Sequence, residues 1–501
     1  METYILGIDQ GTSGSRALLL DTDGQPRGYG YQPLYGQTPH PNHVEQRPHE
    51  VAEGVRRAID IALEQAGATP RQIVACGIAC QRNTDFVWDA QSGEPLANAI
   101  SWQDLRTIPL LDELAQTPFL NEADYRLGYP PGPYSAALHL AWRMRHQPDV
   151  RRAALDGRLR VGLSAAYLVH ALGTPAEHAM DVSLVQALGV YDFRHNTYWD
   201  ALLDWVGVPH TALPAPRPTV HEFGALQIGE AAVPVLAMLG DQQAALFGHG
   251  AHAPGQAKCT HGTATFVNVF TGQQAPYVRG VNTYFAWRLA ETPTYCLEAD
   301  TTVTGAGIRW LRTNARMFDE DADVSRFAAQ VADSGGVVFV PAFTGLNVPY
   351  HDREARGTIL GLTLGTTRAH IARAFLEAIG FQVRAILETM QRETDLAIER
   401  LSVDGGIARS DIACQILADT TGLPVVRPAF TEMAARGAAL LAGMGAGWWR
   451  MEALPPLPEG ETVFLPEWND HQRDAAYARW QSAIEAVACF RSHTAQTGVK
   501  Q

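Results

Sequence analysis

The chain opens on an apolar run, residues 4–9, which ends in the polar, glycine-bearing segment 10–15. A second apolar run, residues 16–21, follows and is closed by Asp23-Gly24. Runs of this length bounded by turn residues predict two buried strands joined through a glycine turn. Between 48 and 65 the spacing changes. Val51, Val55, Ile59 and Leu63 recur every four positions, which predicts a helix with one apolar face. A further apolar run, residues 73–79, predicts a strand that leads into Gln81-Arg82-Asn83-Thr84. Strand and helix patterns keep alternating, so the expected fold class is α/β.

The second half restarts the theme. A strand at 256–260 leads into His261-Gly262-Thr263-Ala264-Thr265, and another strand, 266–270, follows. Helical patterns are expected at 370–391, 411–421 and 433–443. One strand–glycine turn–strand unit in each half suggests an internal duplication at the level of fold. The pattern breaks at Gly248, Gly250, Pro254 and Gly255, which places a boundary near 246–254 and divides the chain into 1–248 and 249–501. No low-complexity linker separates the halves, so they are expected to face each other across a cleft.

Composition narrows the classes. A chain of 501 residues with 46% hydrophobic content exceeds what one core fills, which supports two domains. Charged residues are only 18%, and 11 Trp, 15 Tyr and 17 Phe are available for packing, so general disorder is excluded. The net charge of −14 argues against a nucleic-acid binder working through a broad basic face. The longest small and apolar stretch, residues 437–449, is shorter than the roughly 18 residues of a membrane span. Cys76, Cys80, Cys259, Cys296, Cys414 and Cys489 form no zinc pattern and are expected to be reduced and buried. No signal peptide precedes the first strand, so a cytoplasmic setting is expected.

Three glycine turns carry candidate chemistry. In the first, Gly11 and Gly14 let backbone N–H groups approach an anion, Thr12, Ser13 and Ser15 add hydroxyls, and Arg16 adds a fixed charge. Asp9, at the strand end beside it, suits a divalent metal bridging phosphate oxygens. Gly262-Thr263 repeats the logic in the second half, and Asp404-Gly405-Gly406 could approach the sugar or base of a nucleotide. Each turn alone is also compatible with an ordinary hairpin; the three together with Asp9 favour a nucleotide. Lys258 and Lys500 are the only lysines, and neither follows the glycine of a Walker loop. Phosphates would have to be held by amides, hydroxyls, Arg16 and a metal.

The segments Gly7-Ile8-Asp9-Gln10-Gly11-Thr12-Ser13-Gly14-Ser15-Arg16, Trp102-Gln103-Asp104-Leu105-Arg106-Thr107 and Gly240-Asp241-Gln242-Gln243-Ala244-Ala245-Leu246-Phe247-Gly248 resemble those of the FGGY carbohydrate kinases. So do Pro341-Ala342-Phe343-Thr344-Gly345-Leu346, Gly357-Thr358-Ile359-Leu360-Gly361-Leu362 and Asp404-Gly405-Gly406. Within that family the similarity is greatest to the glycerol kinases, and it runs from residue 4 to about 450. The resemblance implies two actin-like (ribonuclease H-like) ATPase domains with the active site in a central cleft. It implies ATP and Mg²⁺, a small polyol or sugar as acceptor, and makes a homodimer or homotetramer plausible. Asp241 matches the catalytic base. Thr12, Ser13, Gly14 and Arg16 match the loop around the β- and γ-phosphates, and Asp9 matches the metal position. Thr263, Gly305, Arg309, Gly406 and Ser410 match nucleotide positions. Arg82, Asn83, Trp102, Tyr134, Gln242 and Phe266, with Asp241, match positions lining the polyol pocket. Read as residues alone, Trp102 and Tyr134 are also compatible with core aromatics and Arg82 with a surface salt-bridge partner.

Departures gather where substrate is chosen. Glycerol kinases carry Glu after the Arg of Gln-Arg-Glu-Thr; here the residue is Asn83, an amide that donates as well as accepts. Asp85 lies nearby, but strand alternation turns its side chain away from that of Thr84. Asn347, Val348 and His351 alter another family run, His139 replaces a lysine, Ala264 replaces a glycine, and Arg309 replaces a glutamine. Glycerol is the best single expectation, with a tetritol or pentulose as competitor. A sugar- and nucleotide-sensing protein without transfer is the alternative of another class.

Overall fold

The structure, a computed structural model, describes residues 2–301 and 303–497; Lys500 lies outside the described residues. The first apolar run forms β1 (Tyr4–Gln10), and β2 (Gly14–Leu20) returns antiparallel, with Asp9 opposite Arg16. The second strand begins two residues earlier than its apolar run. Gln10 pairs with Ser15 on one side, and Gly14 pairs with Pro33 of β3 (Pro26–Pro33) on the other. A Cβ on Gly14 would lie 2.5 Å from the Tyr31 ring, so glycine is needed there for contact as much as for turning. The expected helix is α1 (Pro48–Ala66). It buries Val51, Val55, Ile59 and Leu63, begins with proline in its first turn, and ends at Gly67 in the left-handed conformation.

β4 (Ile73–Cys80) runs parallel to β1. With β5 (Gly173–Pro175), β6 (Val220–Ile228) and β7 (Ala231–Gly240) it completes a seven-stranded sheet in the order β3-β2-β1-β4-β7-β6-β5. β7 passes directly into α2 (Asp241–Gly248).

The second half contains β8 (Ala257–His261), β9 (Thr265–Gly272), β10 (Asn282–Leu289) and β11 (Thr292–Asp300). These are followed by α3 (Gly305–Thr313), α4 (Arg368–Thr394), β12 (Leu401–Gly405) and α5 (Asp411–Thr421). The chain ends its described course with β13 (Val425–Arg427), α6 (Met433–Gly445), β14 (Thr462–Phe464) and α7 (Asp470–Thr497). The second sheet runs β10-β11-β9-β8-β12-β13-β14. In both sheets a hairpin around a glycine turn lies at the centre. Its first strand takes a parallel neighbour on the far side, β4 for β1 and β12 for β8. The duplication suggested by the motifs is therefore visible as topology.

One element leaves this order. α6 lies between β13 and β14 of the second sheet, yet it packs on β1 and β4 of the first and beside α2. Bare backbone makes this possible. A Cβ on Gly7 would lie 2.0 Å from the Ala435 carbonyl oxygen, and one on Gly77 2.0 Å from that of Ala438. Arg436 is buried and donates Nη1–H to the Gly248 carbonyl at 2.6 Å, satisfying the C-terminal end of α2. Of the six cysteines, five are buried as expected, but Cys489 is exposed on α7. Among the described residues no helix is long and apolar enough to cross a membrane.

Candidate active site

Asp241 is the first residue of α2, preceded by the extended Gly240. Its Oδ1 accepts the Gln242 N–H at 2.7 Å, and 28% of its side chain remains open. Burial raises its pKa above the usual carboxylate value; Arg82, the Gln242 N–H and Lys258 pull the other way. The helix N-terminus also favours the anion. The result is a carboxylate short of hydrogen bonds that still faces the cleft.

Arg82 Nε approaches Asp241 Oδ1 at 3.8 Å, while its Nη2 donates to both oxygens of Glu298 at 2.7 and 2.8 Å. Its guanidinium lies 4.5 Å from the centre of the Tyr284 ring. Glu298 on β11 also accepts from Asn268 Nδ2 on β9 at 2.9 Å. Arg82 is thus a salt-bridge partner, but one buried between the two halves, with Nη1 left without a protein partner. Asn83 adopts φ +61°, a left-handed conformation that asparagine tolerates well, and its Oδ1 is buried without a partner. Asp85 turns the other way, to Arg143 Nε at 2.5 Å and His139 Nδ1 at 3.2 Å, and does not compensate for the glutamate absent at position 83.

Trp102 donates Nε1–H to Thr12 Oγ1 at 2.8 Å, and Thr12 donates to Gln81 Oε1 at 3.1 Å. Those bonds tie an expected pocket aromatic to the first glycine turn. Tyr134 donates its hydroxyl to the Pro130 carbonyl at 2.6 Å, and Phe266 on β9 is paired with Asp300. Gln242 accepts Lys258 Nζ–H at 2.5 Å. In the first turn Gly11 N–H bonds the Gly14 carbonyl at 3.0 Å, and Ser13 is exposed. Arg16 is shared between two carboxylates, Asp9 Oδ2 at 3.3 Å and Glu432 Oε2 at 2.8 Å. Burial, with Asp241 and Glu432 nearby, pushes the Asp9 carboxyl up to about 7 against the pull of Arg16. Asp9 Oδ1 is buried and unpartnered. One carboxylate oxygen free beside another carboxylate fits a divalent cation whose remaining ligands are phosphate oxygens and water. Among the described residues no cluster of three or more His, Cys, Asp or Glu could cage a metal without such help.

In the second half the Gly262–Thr263 turn docks on the start of α3. Gly305 N–H bonds the Gly262 carbonyl and Ala306 N–H that of Thr263, at 3.0 and 3.1 Å. Gly405 pairs with His261 across β12 and β8, which sets Gly406 beside the same turn. Arg309 is exposed one turn along α3, and Ser410 caps α5 by accepting the Ala413 N–H. His261 is buried, with Nδ1 2.8 Å from Thr265 Oγ1, and burial pulls its pKa down to about 4. An unfolded histidine titrates near 6.5. This group therefore has no effect on stability above about pH 6.5 and destabilises the fold increasingly as pH falls from there towards 4. The loss approaches about 3 kcal/mol at the acid end. Urea unfolding across that range checks it, with His261→Gln expected to flatten the profile.

Lys258, Glu298, Asn268, Tyr284 and Glu432 were not legible as site residues. Lys258 and Glu298 did leave a signal, since each is a charge inside an apolar strand. Glu432 left none; only the return of α6 to the first sheet brings it to Arg16.

Two repeated ribonuclease H-like units around an acid-floored cleft define a phosphotransferase of the actin-like fold. Models of the FGGY family of carbohydrate kinases match residues 4–248 (N-terminal domain) and 257–446 (C-terminal domain), and the chain belongs to that family. It is a carbohydrate or polyol kinase. A glycerol kinase of Symbiobacterium thermophilum is 39% identical over 490 residues, covering 96% of this chain and 98% of the relative. Glycerol kinase 2 of Sulfolobus acidocaldarius is 36% identical over 484 residues, covering 96% and 97%. The crystal structure of Plasmodium falciparum glycerol kinase with ADP superposes with a TM-score of 0.88 at 26% identity, covering 97% of this chain and 98% of that one.

Proposed function

We propose that the protein transfers the γ-phosphoryl group of ATP to a terminal hydroxyl of a small polyol or sugar, with Asp241 as general base. The observation that carries this reading is the placement of Asp241: it starts α2, stays open to the cleft and lies 3.8 Å from Arg82. A carboxylate is basic enough for the task because phosphoryl transfer depends mainly on positioning and charge neutralisation. The division into 1–248, bearing the acceptor site, and 249–501, bearing the nucleotide turns, belongs to the same reading. Asp9 would hold Mg²⁺, which when bound supplies positive charge to the phosphate oxygens. Thr12, Ser13 and Gly14 face the phosphates from one side and Thr263, Gly305 and Gly406 from the other. Arg82, Asn83, Trp102, Tyr134, Gln242 and Phe266 orient the acceptor. ATP and small polyols are cytoplasmic metabolites, so the cytoplasm is the compartment this function requires.

Glycerol is the acceptor suggested by the relatives. Asn83 favours a second reading, a four- or five-carbon polyol or ketose. Its side chain is one methylene shorter than glutamate, carries no charge and keeps Oδ1 unsatisfied. ADP release measured over C3 to C6 polyols, ketoses and sugar acids tests both readings, and no acceptor-dependent release from any member would overturn the kinase assignment. Asn83→Glu is expected to raise kcat/KM for glycerol relative to the longer acceptors by about tenfold, the worth of one charge-assisted hydrogen bond less the strain of glutamate at positive φ. The ratio of the two kcat/KM values in one assay checks this.

A further inference from the structure

We infer that Lys258 is a catalytic residue of the transfer, donating from Nζ to an oxygen of the phosphoryl group as it passes from ATP to the acceptor. This rests on the phosphotransfer reading of the cleft. Lys258 is the only lysine among the described residues, and it is fully buried on β8. Nζ donates to Gln242 Oε1 at 2.5 Å and to Thr260 Oγ1 at 2.7 Å. Those two acceptors belong to opposite sides of the cleft. Gln242 follows Asp241 on α2, and Thr260 stands two residues before the Gly262 turn. The ammonium therefore sits between Gln242, the neighbour of Asp241, and Thr260, two residues before the Gly262 turn.

A structural role alone accounts poorly for the charge. Both hydrogen-bond partners are neutral, and a neutral donor could serve them without the cost of burying an ammonium. The nearby carboxylates, Asp404, Glu298 and Asp241, attract Lys258, but its Nζ bonds go to Gln242 and Thr260 and to none of the three. Glu298 is held by Arg82 and Asn268, and Asp404 Oδ2 lies 2.8 Å from His249 Nε2. An ammonium carries three N–H groups, so one remains beyond the bonds to Gln242 and Thr260. Lysine also suits the place where arginine serves everywhere else in the described chain. A compact point charge on a flexible stem can follow a moving phosphoryl group, whereas a planar fork is built for a fixed bidentate partner.

The step balances without further reagents. The acceptor hydroxyl oxygen forms a bond to the γ-phosphorus. The bond from that phosphorus to the β–γ bridging oxygen breaks, and its electron pair leaves with ADP. The hydroxyl proton passes to the Asp241 carboxylate. Lys258 forms no covalent bond and retains its proton.

The test uses the full chain, with the acceptor that gives the highest turnover in the panel above. Lys258→Met is expected to lower kcat by about 10²–10³-fold, as removal of a charge-stabilising donor does. KM for the acceptor and Kd for ADP should change less than about threefold, and Lys258→Arg should recover at least about tenfold of the lost kcat. Turnover of Lys258→Met within threefold of wild type would overturn the inference. So would a raised acceptor KM at unchanged kcat, which would make Lys258 only the holder of Gln242. If the methionine variant fails to bind ADP as a folded protein, Lys258→Gln is read by the same criteria. A wild-type protein inactive on the whole panel defeats the phosphotransfer reading, whereas an active wild type with an equally active Lys258→Met defeats this inference alone.

Discussion

Replacing Asp241 by asparagine is expected to reduce kcat by about 10³-fold, within the range lost when a general base is removed. ADP binding should survive, because the turns proposed for the nucleotide, at Gly262, Gly305 and Gly406, lie on other elements. The fold should also survive. Asparagine is isosteric, its carbonyl can still accept the Gln242 N–H, and Arg82 keeps its two bonds to Glu298. The direction of the pKa shift sharpens the expectation. Burial raises the Asp241 carboxyl above its unfolded value, so the native state binds that proton more tightly than the unfolded chain does. The ionised form then opposes folding at neutral pH, and the neutral variant should be as stable as wild type or more so. Coupled ADP release, ADP titration calorimetry and a thermal melt measure the three quantities. Retention of wild-type turnover would falsify the assignment of the base.

Gly437→Ala should destabilise the protein, against the sign that helix propensity alone predicts. Gly437 lies inside α6, where alanine is ordinarily favoured by about 1 kcal/mol. A Cβ there would lie 1.9 Å from the carbonyl oxygen of Ala244 on α2. Neither helix can yield easily. Gly248 of α2 meets the Met433 carbonyl of α6 as closely, at 2.1 Å, and α6 is seated on Gly7 and Gly77 of the sheet beneath it. Overpacking of a fixed contact of this kind costs about 3 kcal/mol, so the net loss should be about 2 kcal/mol. The displacement should reach catalysis too, because α2 carries Asp241 at its first residue and Glu432 stands just before α6. A shift of about 1 Å in a catalytic group can cost about 10²-fold in rate. A higher urea midpoint in the alanine variant, with unchanged turnover, would show that the two helices are not in the close contact described.

Legibility followed the range of the forces involved. β1, β4, α1, α4 and α5 were readable because side-chain periodicity reports directly which face of a local element is buried. α5 was placed at its observed ends, while β2 began earlier than its apolar run because Gly14 and Ser15 are held in the ladder by Gln10 and Pro33. Asp9, Arg16, Asp241 and the glycine turns stood out because bare backbone and strand-end carboxylates are conspicuous at short range. What they would touch was not readable. Arg16, expected to bring a fixed charge to phosphate, is divided between Asp9 and a glutamate more than four hundred residues away.

The scarcity of lysine illustrates the same division. The sequence excluded a Walker loop, since neither Lys258 nor Lys500 has the necessary glycine before it, and no folding could alter that. Burial on β8 with its amine between Gln242 and Thr260 depends on how the two halves meet. By itself the sequence determined the α/β class, the repeated strand–turn–strand theme and the chemistry available at each turn, all properties of contiguous residues. Only the tertiary structure decided that α6 returns to the first sheet, that Glu298 and Glu432 neutralise the two arginines of the cleft, and that Lys258 is bonded to Gln242 beside Asp241. Such contacts join residues far apart in the chain, and they form where close approach of bare backbones and mutual neutralisation of buried charge outweigh the entropy of closing the long loops between them.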